Sequence, residues 1–276
     1  MNDRAVSLLE QYDFSVERTW KGRGAILFEA NDNVYIVKRY FGAKECNIRE
    51  KQECQKAVRT LGTLHKAMTG IVADEPLEVD SLPLLFEFQK RNSELRRVRR
   101  YLHAKSQKSE FERFLQKHYD YFYEKAIQTL EQLEQEDTGQ WRKEIESAQY
   151  YCHGDYQYHN ILMDDAGCYI INFEKIAMDN PVKDLYLFTR KLLEKNNWDL
   201  TLGRELLRTY NEERRLQEED LLQLKYRFLY PEKFWKIVNF YFNSPKAWIS
   251  CKNTEKLEVI LQQEENKNTL IQTMFG

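Results

Sequence analysis

The stretch Tyr150-Tyr151-Cys152-His153-Gly154-Asp155-Tyr156-Gln157-Tyr158-His159-Asn160-Ile161-Leu162-Met163, followed downstream by Asn172-Phe173-Glu174, decides how the rest of the chain is read. It opens as an apolar strand and breaks at His153-Gly154-Asp155. It resumes as a strand after Asn160 and turns back at Asp164-Asp165-Ala166-Gly167, a hairpin turn. Asp155 has the chemistry to accept or orient the proton of a hydroxyl, and Asn160 offers an amide carbonyl oxygen to a hard divalent cation. His153 is read as internal, holding the loop by hydrogen bonds. Asn172, at the end of the second hairpin strand, occupies the place expected for a second metal ligand, but as a neutral amide it lacks a carboxylate's charge. Strand residues two apart share a face, so Glu174 is expected on the side of Asn172. Two readings of Glu174 stay open. It replaces the missing carboxylate, directly or through water, or it pairs with a cation such as Lys175 and is otherwise solvated.

Working outward, Asp179-Asn180-Pro181-Val182-Lys183-Asp184-Leu185 places Asp184 one turn into a helix that Pro181 helps to start. Asp184 is read both as a buried acceptor for the backbone of the His-Gly-Asp loop and as a helix-start carboxylate favoured by the macrodipole; the two are compatible. Towards the N-terminus, Ala25–Phe28 and Val34–Tyr40 are β-rich runs joined by Ala30-Asn31-Asp32-Asn33. Lys38, near the end of the second run, is a candidate ligand for nucleotide phosphates, with Glu50 or Glu53 as its ion-pair partner. The alternative is an edge or solvent charge. Gly22-Arg23-Gly24, within an expected turn over 20–24, is a weak candidate for a phosphate-covering turn.

The remaining periodicity is helical. A short helix is expected over 4–12 and a long one from Glu45 to Met68, with Val58, Leu61, Leu64 and His65 at three- and four-residue steps and Gly70 as its stop. Pro76 and Pro83 mark turns, residues 84–135 are mostly helical, Thr138-Gly139 breaks the run, and a short helix follows near 140–147. Helices are expected over Val182–Leu193, Leu200–Tyr210 and Glu218–Arg227, a further one opens at Tyr230-Pro231-Glu232, and Thr254 is a candidate N-cap for a last one through Gln263. Arg96-Arg97-Val98-Arg99-Arg100 is the one concentrated basic run, read as a solvated face or as a dock for an anionic partner.

The totals exclude several classes. The chain has 276 residues, 42 basic against 44 acidic, and a net charge of -2, so nothing global points to nucleic acid. Five cysteines without regular spacing argue against a disulfide framework, and the lack of a Cys-x-x-Cys pair argues against a zinc site. No apolar run has the roughly 18 residues needed to cross a bilayer, and the N-terminus does not read as a signal peptide. A reduced, cytoplasmic-type protein without membrane or nucleic-acid partners is expected.

The Cys152-His153-Gly154-Asp155 and Asn160-Ile161-Leu162-Met163 pattern, with Ile170-Ile171-Asn172-Phe173-Glu174 and Asp179–Leu185, resembles the aminoglycoside phosphotransferase and choline-kinase branch of the protein-kinase superfold. More narrowly, Lys21–Ala25, Tyr40–Arg49, Val58–Lys66, Tyr230–Lys236 and Lys246–Ile249 look like the CotS-type spore-coat proteins of spore-forming bacteria. The resemblance implies an α+β, protein-kinase-like, two-lobed fold, with a reduced β-containing N-terminal lobe over 1–75 and a large helical C-terminal lobe over 76–276. It implies ATP as phosphoryl donor, Mg²⁺ held by Asn160 with Asn172 or Glu174, and Asp155 as base. Two departures weigh against full activity. Asn172 stands where active relatives carry the metal-binding Asp, and the N-terminal lobe is short enough for Tyr35–Gly42 to match a hinge strand, in which case Lys38 is not the phosphate lysine. The expectation is therefore a weakly active or inactive, pseudokinase-like spore-coat protein with a degraded ATP and Mg²⁺ site, a binding or assembly module for other coat proteins. The alternative is an ATP-dependent phosphotransferase acting on a hydroxyl of a small molecule or sugar.

Overall fold

The computed structural model describes residues 18–22, 25–30, 33–37, 42–70, 83–136, 141–243 and 250–276. Lys38, the Arg23-Gly24 and Asn31-Asp32 turn residues, the helix expected over 4–12, Pro76, Thr138-Gly139 and the Lys246–Ile249 stretch lie outside these residues.

Strands β1 (Arg18–Gly22), β2 (Ala25–Ala30) and β3 (Asn33–Val37) form an antiparallel sheet in the order β1-β2-β3. The turn expected over 20–24 is mostly strand: Trp20, Lys21 and Gly22 pair with Leu27, Ile26 and Ala25. The glycines concealed a strand that β2 supplies with a partner.

A second correction lies at the start of the long helix. Lys44–Glu45 is strand β4, paired antiparallel with β6 (Ile161–Met163), which pairs in turn with β7 (Cys168–Ile170). Helix α1 therefore runs only over Lys51–Met68. The backbone before it is already committed, since the Cys46 N–H donates to Ile161 O at 2.9 Å and the Asn47 N–H to Glu53 Oε2 at 2.6 Å.

Helices α2 (Leu84–Ala104) and α3 (Glu110–Glu136) divide the helical stretch at 105–109, and α4 (Trp141–Ala148) leads into β5 (Tyr151–Cys152), which pairs with β8 (Ala177–Met178). Helices α5 (Val182–Lys195), α6 (Leu200–Glu213), α7 (Glu218–Leu229), α8 (Glu232–Asn243) and α9 (Ser250–Phe275) follow. Thr254 is thus inside α9 rather than at its cap. The buried face Asn253, Leu257, Ile260, Glu264, Leu270 and Ile271 continues past Gln263 without a Gly or Pro to stop it.

Two apolar cores result. One joins α1, α5 and α6 to the hairpin through Val58, Leu61, Tyr156, Ile161, Leu185 and Leu206; the other joins α2, α3, α8 and α9 through Phe88, Leu95, Phe122, Phe234 and Leu257. Helix α7 lies between them. Leu224 and Phe228 belong to the first core, Tyr226 and Tyr230 to the second. Residues two apart on a helix are about 200° apart around its axis, so the two sets sit on opposite sides. Cys46, Cys54, Cys152 and Cys168 are free thiols. Among the described residues no helix is long and apolar enough to cross a membrane.

Candidate functional site

The site is built where β5, β8, the hairpin and the first turn of α5 meet. Pairing of Cys152 with Ala177, together with the Asp179 N–H to Tyr150 O bond, brings the start of α5 beneath residues 153–155. The Asn180 side chain accepts the Val182 N–H at 2.9 Å, opening the helix. Asp184, fully buried, then accepts the backbone N–H groups of His153 at 2.6 Å and Gly154 at 3.1 Å.

Its Oδ2 also faces His65 Nε2 at 3.3 Å, while His65 Nδ1 lies 2.7 Å from Tyr210 Oη. A carboxylate only accepts, so Nε2 carries the His65 proton and Nδ1 accepts from Tyr210. Burial lowers the pKa of His65 below its ordinary value, against the hydrogen bond and charge of Asp184. His65 was legible only as one member of an apolar helix face; nothing in the spacing pointed to a partner on another element.

His153 is buried and its tautomer follows in the same way. Nδ1 accepts the Asp155 N–H at 3.2 Å, so Nε2–H donates to Ile171 O at 3.0 Å, tying the loop to the end of the hairpin. Gly154 has φ of 77°, and a Cβ there would lie 2.0 Å from Lys175 O, so both the conformation and the close approach require glycine.

That approach sets Lys175 beside Asp155: Lys175 Nζ is 2.7 Å from Asp155 Oδ2, and the Gln157 amide donates to Asp155 Oδ1. Lys191 of α5 donates to Gln157 Oε1. Burial pushes the Asp155 carboxyl up, but the hydrogen bonds from Lys175 and Gln157 and the positive charge around it outweigh this and hold it below the usual carboxylate range. Asp155 is thus an ionised acceptor, one-fifth exposed, of the kind that takes or orients a hydroxyl proton. Gln157 and Lys191 had no signal in the sequence, and Lys175 was read there only as a partner for Glu174.

Asn160 is buried and its orientation is determined. Its Nδ2 donates to Asp155 O at 2.8 Å, which leaves Oδ1 to accept from Asn172 Nδ2 at 2.8 Å. The two candidate metal positions therefore meet each other. Mg²⁺ requires oxygen ligands in near-ideal octahedral geometry, and an amide N–H already bonded to the Asn160 oxygen does not suit it. Among the described residues no group of three or more His, Cys, Asp or Glu could hold a metal ion.

The placement expected for Glu174 rested on a strand that ends at Ile170. Asn172 has φ of 64°, a left-handed conformation that Asn tolerates, and residues 174–175 form a turn, so two-residue periodicity does not apply to Glu174, which lies exposed. Lys175, the cation named as its possible partner, pairs instead with Asp155. Glu53 is engaged by the Asn47 N–H, Glu50 is the N-cap residue of α1, and Lys38, their proposed partner, is outside the described residues.

A helix-rich α+β chain that carries a His-Gly-Asp loop on a hairpin, held from below by a helix-start Asp, has a protein-kinase-like fold of the aminoglycoside phosphotransferase type. It aligns with the crystal structure of an aminoglycoside phosphotransferase from Alicyclobacillus acidocaldarius subsp. acidocaldarius with a TM-score of 0.77, over 96% of this chain and 93% of that one. At 16% identity the similarity concerns the fold alone. A choline/ethanolamine kinase family protein from Mesorhizobium loti aligns over 99% of both chains at 14% identity with a TM-score of 0.45. No curated protein matches the sequence. The family model described as spore coat putative kinase YutH matches residues 87–274, and the chain belongs to that family.

Proposed function

We propose that this kinase-fold member of a spore-coat family is weakly active or inactive as a phosphotransferase and serves as a binding or assembly module in the coat. The observation that carries this reading is the Asn160–Asn172 amide pair, which stands where a metal-binding carboxylate is expected. A bound metal ion stabilises the charge of a transferring phosphoryl group by several kcal/mol. Its loss costs orders of magnitude in rate, since each 1.36 kcal/mol is about tenfold. The partners of such a module would be other coat proteins.

One observation favours the alternative, an ATP-dependent phosphotransferase acting on a hydroxyl of a small molecule or sugar. Asp155 is ionised and partly exposed in a loop whose backbone Asp184 holds. Asp155→Asn separates the two readings. In a spore former carrying only this variant, coat assembly equal to wild type is expected, alongside negligible Mg-ATP turnover by the purified wild-type chain. Turnover that disappears in Asp155→Asn, together with a defective coat, would overturn the assembly reading.

A further inference from the structure

Each oxygen that would serve a cation or a substrate in this loop is met by a nitrogen of the same chain. Asn160 Oδ1 receives the Asn172 amide, Asp155 Oδ2 the Lys175 ammonium, and Asp155 Oδ1 the Gln157 amide. Two cations also face the single Asp155 carboxylate, Lys175 by direct contact and Lys191 through Gln157, while Arg190 and Lys236 beyond Lys191 are already paired with Glu194 and Glu232.

We propose that this site takes the polyphosphate of a nucleoside triphosphate without a divalent cation, the Lys175 ammonium and the Asn172 amide standing in for the metal and its carboxylate. This deepens, and rests on, the reading of a kinase fold with little or no phosphotransfer. The two residues suit the task for different reasons. Lys175 is the mobile partner: 65% of its side chain is exposed, and an exposed ion pair such as that with Asp155 contributes at most about 1 kcal/mol, so a phosphate competes for the ammonium at small cost. Asn172 is the fixed partner. One of its two N–H donors is spent on Asn160, and the other has no partner among the described residues and is free for a phosphate oxygen. An Asp in its place would present only lone pairs to a phosphate and would need a cation between them.

The test is calorimetric titration of ATP into the full chain, once in EDTA and once in excess Mg²⁺. Dissociation constants agreeing within about twofold are expected, a difference of roughly 0.4 kcal/mol. Lys175→Ala should weaken binding in EDTA by about tenfold or more, and because Lys175 is exposed the variant should fold normally. Asn172→Asp, with folding checked by near-ultraviolet circular dichroism, should lose affinity in EDTA and recover it with Mg²⁺. Wild-type binding that needs Mg²⁺ overturns the proposal, as does an Asn172→Asp variant with no metal response. Absence of binding under both conditions also overturns it, yet leaves the assembly reading intact. Conversely, Asp155-dependent turnover of Mg-ATP together with a defective coat in Asp155→Asn overturns the assembly reading whatever the EDTA titration gives.

Discussion

Asp184 receives three donors on one fully buried carboxylate: the amides of His153 and of the partly buried Gly154, and the buried imidazole of His65. Truncation leaves the His153 and His65 donors buried and unsatisfied, so Asp184→Ala is expected to destabilise the chain by roughly 3–5 kcal/mol. Asp184→Asn keeps one acceptor oxygen and should cost about 1–3 kcal/mol. Urea denaturation checks both; an unchanged midpoint for Asp184→Ala would show that the loop does not depend on this residue. His65 makes the same cluster sensitive to pH. Its folded pKa lies below the ordinary 6.5, so below pH 6.5 the unfolded chain takes up a proton that the folded chain refuses. The stability contributed by neutral His65 is therefore complete above 6.5 and is lost as pH falls towards the depressed folded value. Melting temperatures measured across about pH 5 to 7 should fall with acidification, and His65→Gln should flatten that slope.

Among the elements, α1 and α6 come close enough that their contact is set by a glycine. A Cβ on Gly62 would lie 2.7 Å from Glu213 Cβ and 3.3 Å from Tyr210 O. Tyr210 is also the partner of His65, so pushing α6 away disturbs the cluster that supports the loop. Gly62→Val is expected to cost about 1–3 kcal/mol by overpacking, despite replacing a residue of poor helix propensity. Thermal unfolding of this variant beside Gly203→Val, at the α6–α9 approach to Leu270, compares the two contacts, and the coupling to Tyr210 predicts that only Gly62→Val alters the pH slope assigned to His65. The helices were legible because an apolar stripe at 3.6-residue spacing is a local signal. The ends were not: β4 and the true start of α1 depend on the hairpin at 161–163, more than a hundred positions along the chain. The strand assumed to carry Asn172 and Glu174 failed for a related reason, since the His153–Ile171 bond and the left-handed Asn172 end the ladder.

For the whole molecule, the two cores share α7, which buries one side in each. They should therefore unfold together. Phe122→Ala, in the core distant from the His-Gly-Asp loop, is expected to cost about 3–5 kcal/mol while leaving a single transition. Hydrogen exchange at α1 and α5 should accelerate along with that at α3. Two separated transitions would mean that α7 does not couple the cores.

The kinase-like fold was determined by the sequence alone, because the His153–Asn160 spacing, the hairpin turn and the helical periodicity are all short-range patterns. Asn172 was visible there as a missing charge. Only the tertiary structure decided what the missing charge means in place: Asn172 bonds Asn160, Lys175 takes Asp155, and His65 joins Asp184 to Tyr210. Those pairings join residues distant in sequence, and hydrogen bonds and ion pairs depend on distances in space that no local periodicity records.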